Sequence, residues 1–270
     1  MARISSGMDL RLAAASLALR AGLTLGRRVD PAALRGLLHR LHPVIAGPGL
    51  IRVGGAGDGG YLIPDDLDGL VGCFSPGVGR VAQFESALVA LGIPCFLADA
   101  SVEGPPVSGP LVHFEQSFLG PVDAEGYTTL ASWVGRHAPA GDLLLQMDIE
   151  GAEWPVLLAV PDLLLDRFRM IVVEFHDLDR LFDRTTFQVM AGVFGRLLAR
   201  FHLVHIHPNN WSGVVRWGDI EVPRVMELTW LRRDRGLATG SVMGFPHALD
   251  QPCRPERPEL ALPSIWHRRG

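Results

Sequence analysis

Leu143-Leu144-Leu145-Gln146-Met147 is a short apolar run that ends on Asp148 and then meets the glycine turn Glu150-Gly151. A run this short and this apolar reads as a strand buried on both faces, which a parallel sheet covered by helices provides. Similar runs end in polar residues at Leu70 to Ser75, Pro94 to Asp99, Met170 to Asp177 and Leu203 to Asn210. Leu111 to Phe114 is a weaker strand and Arg224 to Leu231 a late one. Helical patterns lie between them at 81–91, 128–137 and 187–201, and another helix opens near Trp154-Pro155, where proline suits the first turn. Strands alternating with helices imply an α/β chain with a mostly parallel sheet covered on both faces. Ligands of such sheets collect beyond the carboxyl ends of the strands, which places Asp148, Glu150 and Glu153 where charge can be used. Glu150 and Glu153 also suit the N-terminus of the next helix, a dipole effect that needs no ligand.

The 270 residues fit one large α/β domain with an extension. We read residues 1–50 as a helical preface, 51–235 as the domain, and 236–270 as a proline-rich strap or loose tail. The preface holds an alanine-rich stretch, Leu10 to Leu25, interrupted by Arg11 and Arg20, and so too short and too charged to span a bilayer. As an amphipathic helix it either packs on the domain or makes weak contact with a membrane surface. All 25 basic residues are arginine, which excludes a Schiff-base lysine and a phosphate-loop lysine. With a net charge of −4 and no basic patch, small molecules or glycans are better partners than nucleic acid. The composition is silent on oligomeric state. Cys73, Cys95 and Cys253 lack zinc-type spacing and read as small buried hydrophobes of a reducing, cytoplasmic compartment.

Arg52 to Pro64 is dense in glycine, with the turn pair Asp58-Gly59 between short apolar runs. It is either a plain surface turn or a loop that lets backbone approach a ligand. Ser75-Pro76-Gly77-Val78-Gly79 then links a strand to a helix, as in the first half of a nucleotide-binding unit, and Asp99 follows about 20 residues later, where an acid accepts ribose hydroxyls. Gly77-x-Gly79-x-x-Ala82 equally matches the fingerprint of nicotinamide cofactors, so these residues alone leave a dehydrogenase open.

The ordered set Asp58-Gly59-Gly60-Tyr61, Phe74 to Gly79, Asp148-Ile149-Glu150-Gly151-Ala152-Glu153, Val173-Glu174-Phe175-His176 and His207-Pro208-Asn209-Asn210 resembles the FkbM-type branch of S-adenosylmethionine-dependent methyltransferases. The likeness spans roughly residues 50–233, and the block from Asp148 to Glu153 is its most specific piece. It implies a class I methyltransferase fold, Rossmann-like, with a seven-stranded sheet whose last strand is antiparallel. The implied chemistry is O-methylation, often of sugars in glycosides or polysaccharides. It implies cofactor contacts at Asp58, Tyr61, Ser75, Gly77, Gly79, Asp99 and Asp148. The first motif departs from the family, reading Ser75-Pro76-Gly77 where many relatives begin with an acid.

Methyl transfer to a hydroxyl needs alignment and a base. His176 is the first choice for that base, because imidazole titrates near neutral pH, and Asp148 is the alternative. A second route has Asp148, Glu174 and His176 or His207 hold Mg²⁺, Mn²⁺ or Zn²⁺ to acidify the acceptor. His205 reads as a packed strand histidine, and Trp154 and Trp211 as either sugar-pocket floor or core. Two other functions stay open: an NAD(P)-dependent oxidoreductase, or a non-catalytic glycan-binding module.

Overall fold

The computed structural model describes residues 26–268, together with Leu17 and Arg20. The rest of the expected helix from Leu10 to Leu25 lies outside the described residues. The chain first forms α1 (Pro31–Arg40), β1 (Val44–Ala46), β2 (Leu50–Val53), β3 (Tyr61–Pro64), β4 (Leu70–Pro76) and α2 (Gln83–Ala90). Next come β5 (Cys95–Ala98), β6 (Val112–Glu115), the short β7 (Phe118–Leu119) and β8 (Tyr127–Thr128), α3 (Leu130–His137), β9 (Asp142–Met147), α4 (Glu153–Ala159) and α5 (Asp162–Leu165). The last part holds β10 (Phe168–Phe175), α6 (Arg184–Arg200), β11 (Phe201–Pro208), β12 (Val214–Trp217), β13 (Ile220–Pro223), β14 (Met226–Arg232) and β15 (Ala238–Ser241).

Seven strands form the main sheet in the order β6-β5-β4-β9-β10-β14-β11. The first five run parallel, and β14 lies antiparallel to both β10 and β11. Alternation along β9 sends Leu143, Leu145 and Met147 into one core, with leucines of α1, Trp133 of α3, Trp154 of α4 and Phe194 of α6. Leu144 faces the other core, built from Phe84 and Leu88 of α2 and from Val53, Tyr61 and Ile63 of the β2–β3 hairpin. Burial on both faces is why β9 reads as an almost unbroken apolar run.

The expected strap is more than a surface tail. β15 pairs with β1, Cys253 is buried, and Trp266 is fully buried in the core that holds α1, donating its indole N–H to the Glu221 carbonyl. A side chain of that size contributes about 1.5–3 kcal/mol by leaving water. Residues 26–49 and 236–268 therefore pack with each other and with the sheet. The β12–β13 hairpin, turning at Gly218, was not expected from the sequence. No helix among the described residues is long and apolar enough to cross a membrane.

Candidate active site

The turn from β9 into α4 builds the first half of the site. Glu150 and Gly151 both take positive φ, 56° and 102°, which folds the chain sharply enough for the Glu153 carboxylate to turn back on it. For a non-glycine residue such as Glu150 that backbone costs about 1–2 kcal/mol. Glu153, fully buried, accepts the amides of Ile149 at 3.0 Å and Gly151 at 3.1 Å. It thus satisfies amide donors that the turn would otherwise leave open. The same carboxylate lies 3.1 Å from Nδ1 of His176, just past the end of β10. The carbonyl of His176 accepts the indole N–H of Trp154 at 2.9 Å, so the imidazole is anchored from ring and backbone.

Nε2 of His176 points toward Asp148 Oδ1 at 3.8 Å and Glu150 Oε2 at 3.5 Å. Burial alone would lower the imidazole pKa, but the hydrogen bond and charge of Glu153, with Asp148 beside it, raise it to about 9. That shift favours the imidazolium at neutral pH, so of the two expected bases Asp148 is the better placed to accept a proton. Asp148 moves the other way from an ordinary carboxylate: desolvation, opposed by His176 and reinforced by Glu150, raises it to about 7. Its Oδ1 is buried and accepts no hydrogen bond.

The His176 shift is also a statement about stability. Its folded pKa lies above the 6.5 of a free imidazole, so the stability it contributes is fully present below about 6.5 and lost as pH rises through about 9. In a Glu153→Gln variant the charge that holds the imidazolium is gone, and the His176 resonance followed by NMR should titrate at least one unit lower than in the parent. An unchanged midpoint would mean that Glu153 does not hold the proton.

Two cavities meet over Asp148, Gly77 and Gly79. The smaller, about 210 Å³, is bounded by Asp58, Gly59 and Tyr61 from the hairpin, by 77–81, and by Phe84, Glu85 and Gln146. The larger, about 410 Å³, is bounded by Asp99, Ser101, Phe118, Tyr127 and the turn 149–152. The glycine-dense loop is thus more than a surface turn, since it walls the smaller cavity, and Arg52 braces it by donating to the carbonyls of Gly55 and Gly57, both at 2.9 Å.

The expected cofactor residues divide. Asp58, Tyr61, Gly77, Gly79, Asp99 and Asp148 all reach one of the two cavities. Ser75 does not: it is fully buried and bonded to Glu85 and to Gln146 Oε1, the latter at 2.6 Å. Gln146 in turn donates to the Tyr61 hydroxyl at 3.3 Å. Ser75 therefore supports the cavity from below instead of touching what fills it. Gly77 is required for a different reason from the one expected, because at φ 84° a Cβ would stand 1.6 Å from the Asp148 carbonyl oxygen. Gly79, at φ 52°, has nothing within 4 Å of a would-be Cβ, so space is left open there for a ligand. Asp99 accepts the Gly79 amide at 2.8 Å, the Ser101 amide at 2.7 Å and the Ser101 hydroxyl at 2.6 Å. About one of a carboxylate's four lone-pair sites is left for a ligand hydroxyl.

The four expected metal ligands are not brought together. Asp148 and His176 cluster with Glu153, whereas His207 clusters with Glu227 and Cys253. Glu174 lies between, opposite Glu227 in the β10–β14 register, 4% exposed and accepting the Asn209 amide at 2.7 Å. Burial and the neighbouring Asp148 charge raise its pKa well above the usual range. His205 is buried against Asp250, 2.9 Å from it. Trp154 is core, packed on Phe175 and Phe194, whereas Trp211 is half exposed, stacked against the guanidinium of Arg257 at 4.0 Å, and borders neither cavity over Asp148.

Sequence reading missed Glu153 as the anchor of His176, and it missed the Glu85–Ser75–Gln146–Tyr61 chain. One signal was available: Gln146 is the lone polar residue between Asp142 and Asp148.

No curated protein matches the chain. Residues 125–200 match the family model of the methyltransferase FkbM domain, a segment that includes Asp148, Glu153, Glu174 and His176 and ends before β11. The match supports methyltransferase activity, and through this segment, which holds the turn that joins Asp148 to His176, the chain is similar to the FkbM methyltransferase family.

Proposed function

We propose that the chain is an S-adenosylmethionine-dependent O-methyltransferase acting on a sugar hydroxyl of a glycoside or polysaccharide. The observation that carries this reading is Asp148: a buried carboxylate with an unpartnered oxygen, raised to about 7, at the junction of two cavities. A general base works best when its pKa lies near the operating pH. The cofactor fits the residues present. Gly79 leaves open space, Asp99 retains acceptor capacity for a ribose hydroxyl, and Phe118 and Tyr127 offer apolar rings to a base. Asp58, Glu150 and Asp148 supply the negative surroundings that a sulfonium needs. When bound, S-adenosylmethionine supplies an electrophilic methyl carbon.

The residues of the chain do the rest. Asp148 would take the acceptor's O–H proton on the carboxylate oxygen that is not buried, Oδ1 being turned to His176, while the acceptor oxygen gains the methyl carbon and the S–CH3 bond breaks with its electron pair left on sulfur. His176, fixed by Glu153, faces Asp148 with its charged edge and keeps that carboxylate from rising further. The Glu85–Ser75–Gln146–Tyr61 chain holds the floor of the smaller cavity rigid. A cytoplasmic setting, in which thiols stay reduced, suits the three free buried cysteines.

Saturating S-adenosylmethionine or its demethylated product should raise the melting temperature. At a hundredfold excess over Kd the gain is about 2.7 kcal/mol, or roughly 5–10 °C for a chain of this size. Asp99→Ala should abolish the shift. A shift with nicotinamide cofactor in place of S-adenosylmethionine would transfer the site to a dehydrogenase, and none with either would leave a non-catalytic module. With labelled cofactor and extracts of its own cell, the methyl group should appear by mass spectrometry on a sugar hydroxyl. Label on a nitrogen would overturn the acceptor assignment.

A further inference from the structure

A second group of ligand-capable side chains lies under the C-terminal segment, away from Asp148. His207 near the end of β11, Glu227 at the start of β14 and Cys253 of the tail place Nδ1, a carboxylate oxygen and Sγ within 4.8 Å of one another. All three are buried, at 1%, 4% and 3% exposure. His207 and Glu227 are register partners on adjacent strands, so the sheet itself sets their spacing. Cys253 is carried to them by the tail, which Asn210 clamps by accepting the Arg254 amide at 2.9 Å and donating to the Arg254 carbonyl at 3.0 Å. The thiol meets Glu227 Oε1 at 3.4 Å.

The orientation of His207 is the second, independent observation. Its Nε2 is bonded to Glu259, and its Nδ1, buried and short of a hydrogen bond, is ion-paired with Glu227 Oε2 at 3.4 Å, so an entering ion takes the place of the proton that the surrounding carboxylates hold there. A metal-ligating histidine characteristically donates its other ring N–H to a carboxylate, which fixes the tautomer and turns the free lone pair to the ion. We propose that His207 Nδ1, Glu227 and Cys253 Sγ form a zinc site that pins the C-terminal segment to the sheet. Thiolate with imidazole selects a borderline-soft ion over Mg²⁺ or Ca²⁺. One thiolate, one carboxylate and one neutral imidazole balance the charge of Zn²⁺. Binding releases the Cys253 thiol proton and any proton on His207 Nδ1, so affinity rises with pH. The site is independent of the methyl-transfer reading, since none of its ligands borders the two cavities over Asp148.

The full chain, loaded with zinc and passed into metal-free buffer, should retain about one zinc per chain by elemental analysis. Cobalt in its place should give a thiolate-to-cobalt charge-transfer band. Cys253→Ser should lose that band, and His207→Gln should lose the metal, while Asp148→Asn keeps both. Glu259→Gln should still bind, with Kd raised about 10- to 100-fold. Absence of retained zinc in the parent, or a cobalt band that survives Cys253→Ser, overturns the site. Metal lost from Asp148→Asn and kept by His207→Gln would do so too, by placing the ion at Asp148, Glu153 and His176. Should Cys253→Ser or His207→Gln fail to fold, the cobalt spectrum of the parent decides: a band supports the site and its absence removes it.

Discussion

Asp148→Asn should lower kcat for methyl transfer by about 10²- to 10⁴-fold, the usual contribution of a positioned base. The same change should make the protein more stable at pH 8. The folded pKa of Asp148 is raised from 3.8 to about 7, so the charged form opposes folding. That penalty is absent below about 3.8 and fully present above about 7, and the amide escapes it. Loss of turnover together with a higher melting temperature separates a base from a structural residue, whose removal costs both. In the parent, kcat should rise with pH through about 7 as Asp148 ionises, and fall above about 9 as His176 loses its charge. The lower limb should vanish in whatever activity Asp148→Asn retains. A variant within threefold of the parent would take the proton-accepting role away from Asp148.

Gly77→Ala is the substitution expected to damage the fold most. Its Cβ would sit 1.6 Å from the Asp148 carbonyl oxygen, and φ is 84°. Left-handed backbone costs about 1–2 kcal/mol for a residue with a Cβ, and overpacking adds about 1–3 kcal/mol. The sum, about 2–5 kcal/mol, corresponds to a fall of roughly 5–20 °C in melting temperature. Gly79→Ala is the matched comparison, with φ 52° and open space in front of it. It should cost only about 1–2 kcal/mol, yet raise the cofactor Kd at least about tenfold, because the methyl enters the shared mouth of both cavities. Thermal unfolding and cofactor titration of the pair check this. Equal losses of stability would mean that Gly77 is not wedged against Asp148 as described.

The sheet was legible because β9, β10 and β4 are buried on both faces and write that burial as unbroken apolar runs. Asp148 and His176 were legible for a related reason: each stands where such a run stops. Their roles were not, because the charge on His176 comes from Glu153, which a sequence reader sees equally well as a helix-start acid. Ser75 misled for want of depth. Pattern places it at a strand end, but only packing shows Glu85 and Gln146 closing over its hydroxyl. The tail was the least readable part. Cys253 and Glu259 reach β14 and β11 from segments without regular periodicity, and nothing local in Gln251 to Leu260 announces their partners.

The position of β14 has a consequence for how the molecule is made. It fills the gap between β10 and β11, yet it is synthesised after both. Until it emerges from the ribosome, β11 has no neighbour in the main sheet and β10 presents a bare edge, the kind of template on which nascent chains associate. Vectorial folding can therefore complete one half of the sheet, β4 to β10, but must wait for Arg232 to close the other. A ribosome stalled between 208 and 226 would hold an unfinished enzyme with its stickiest surface outward.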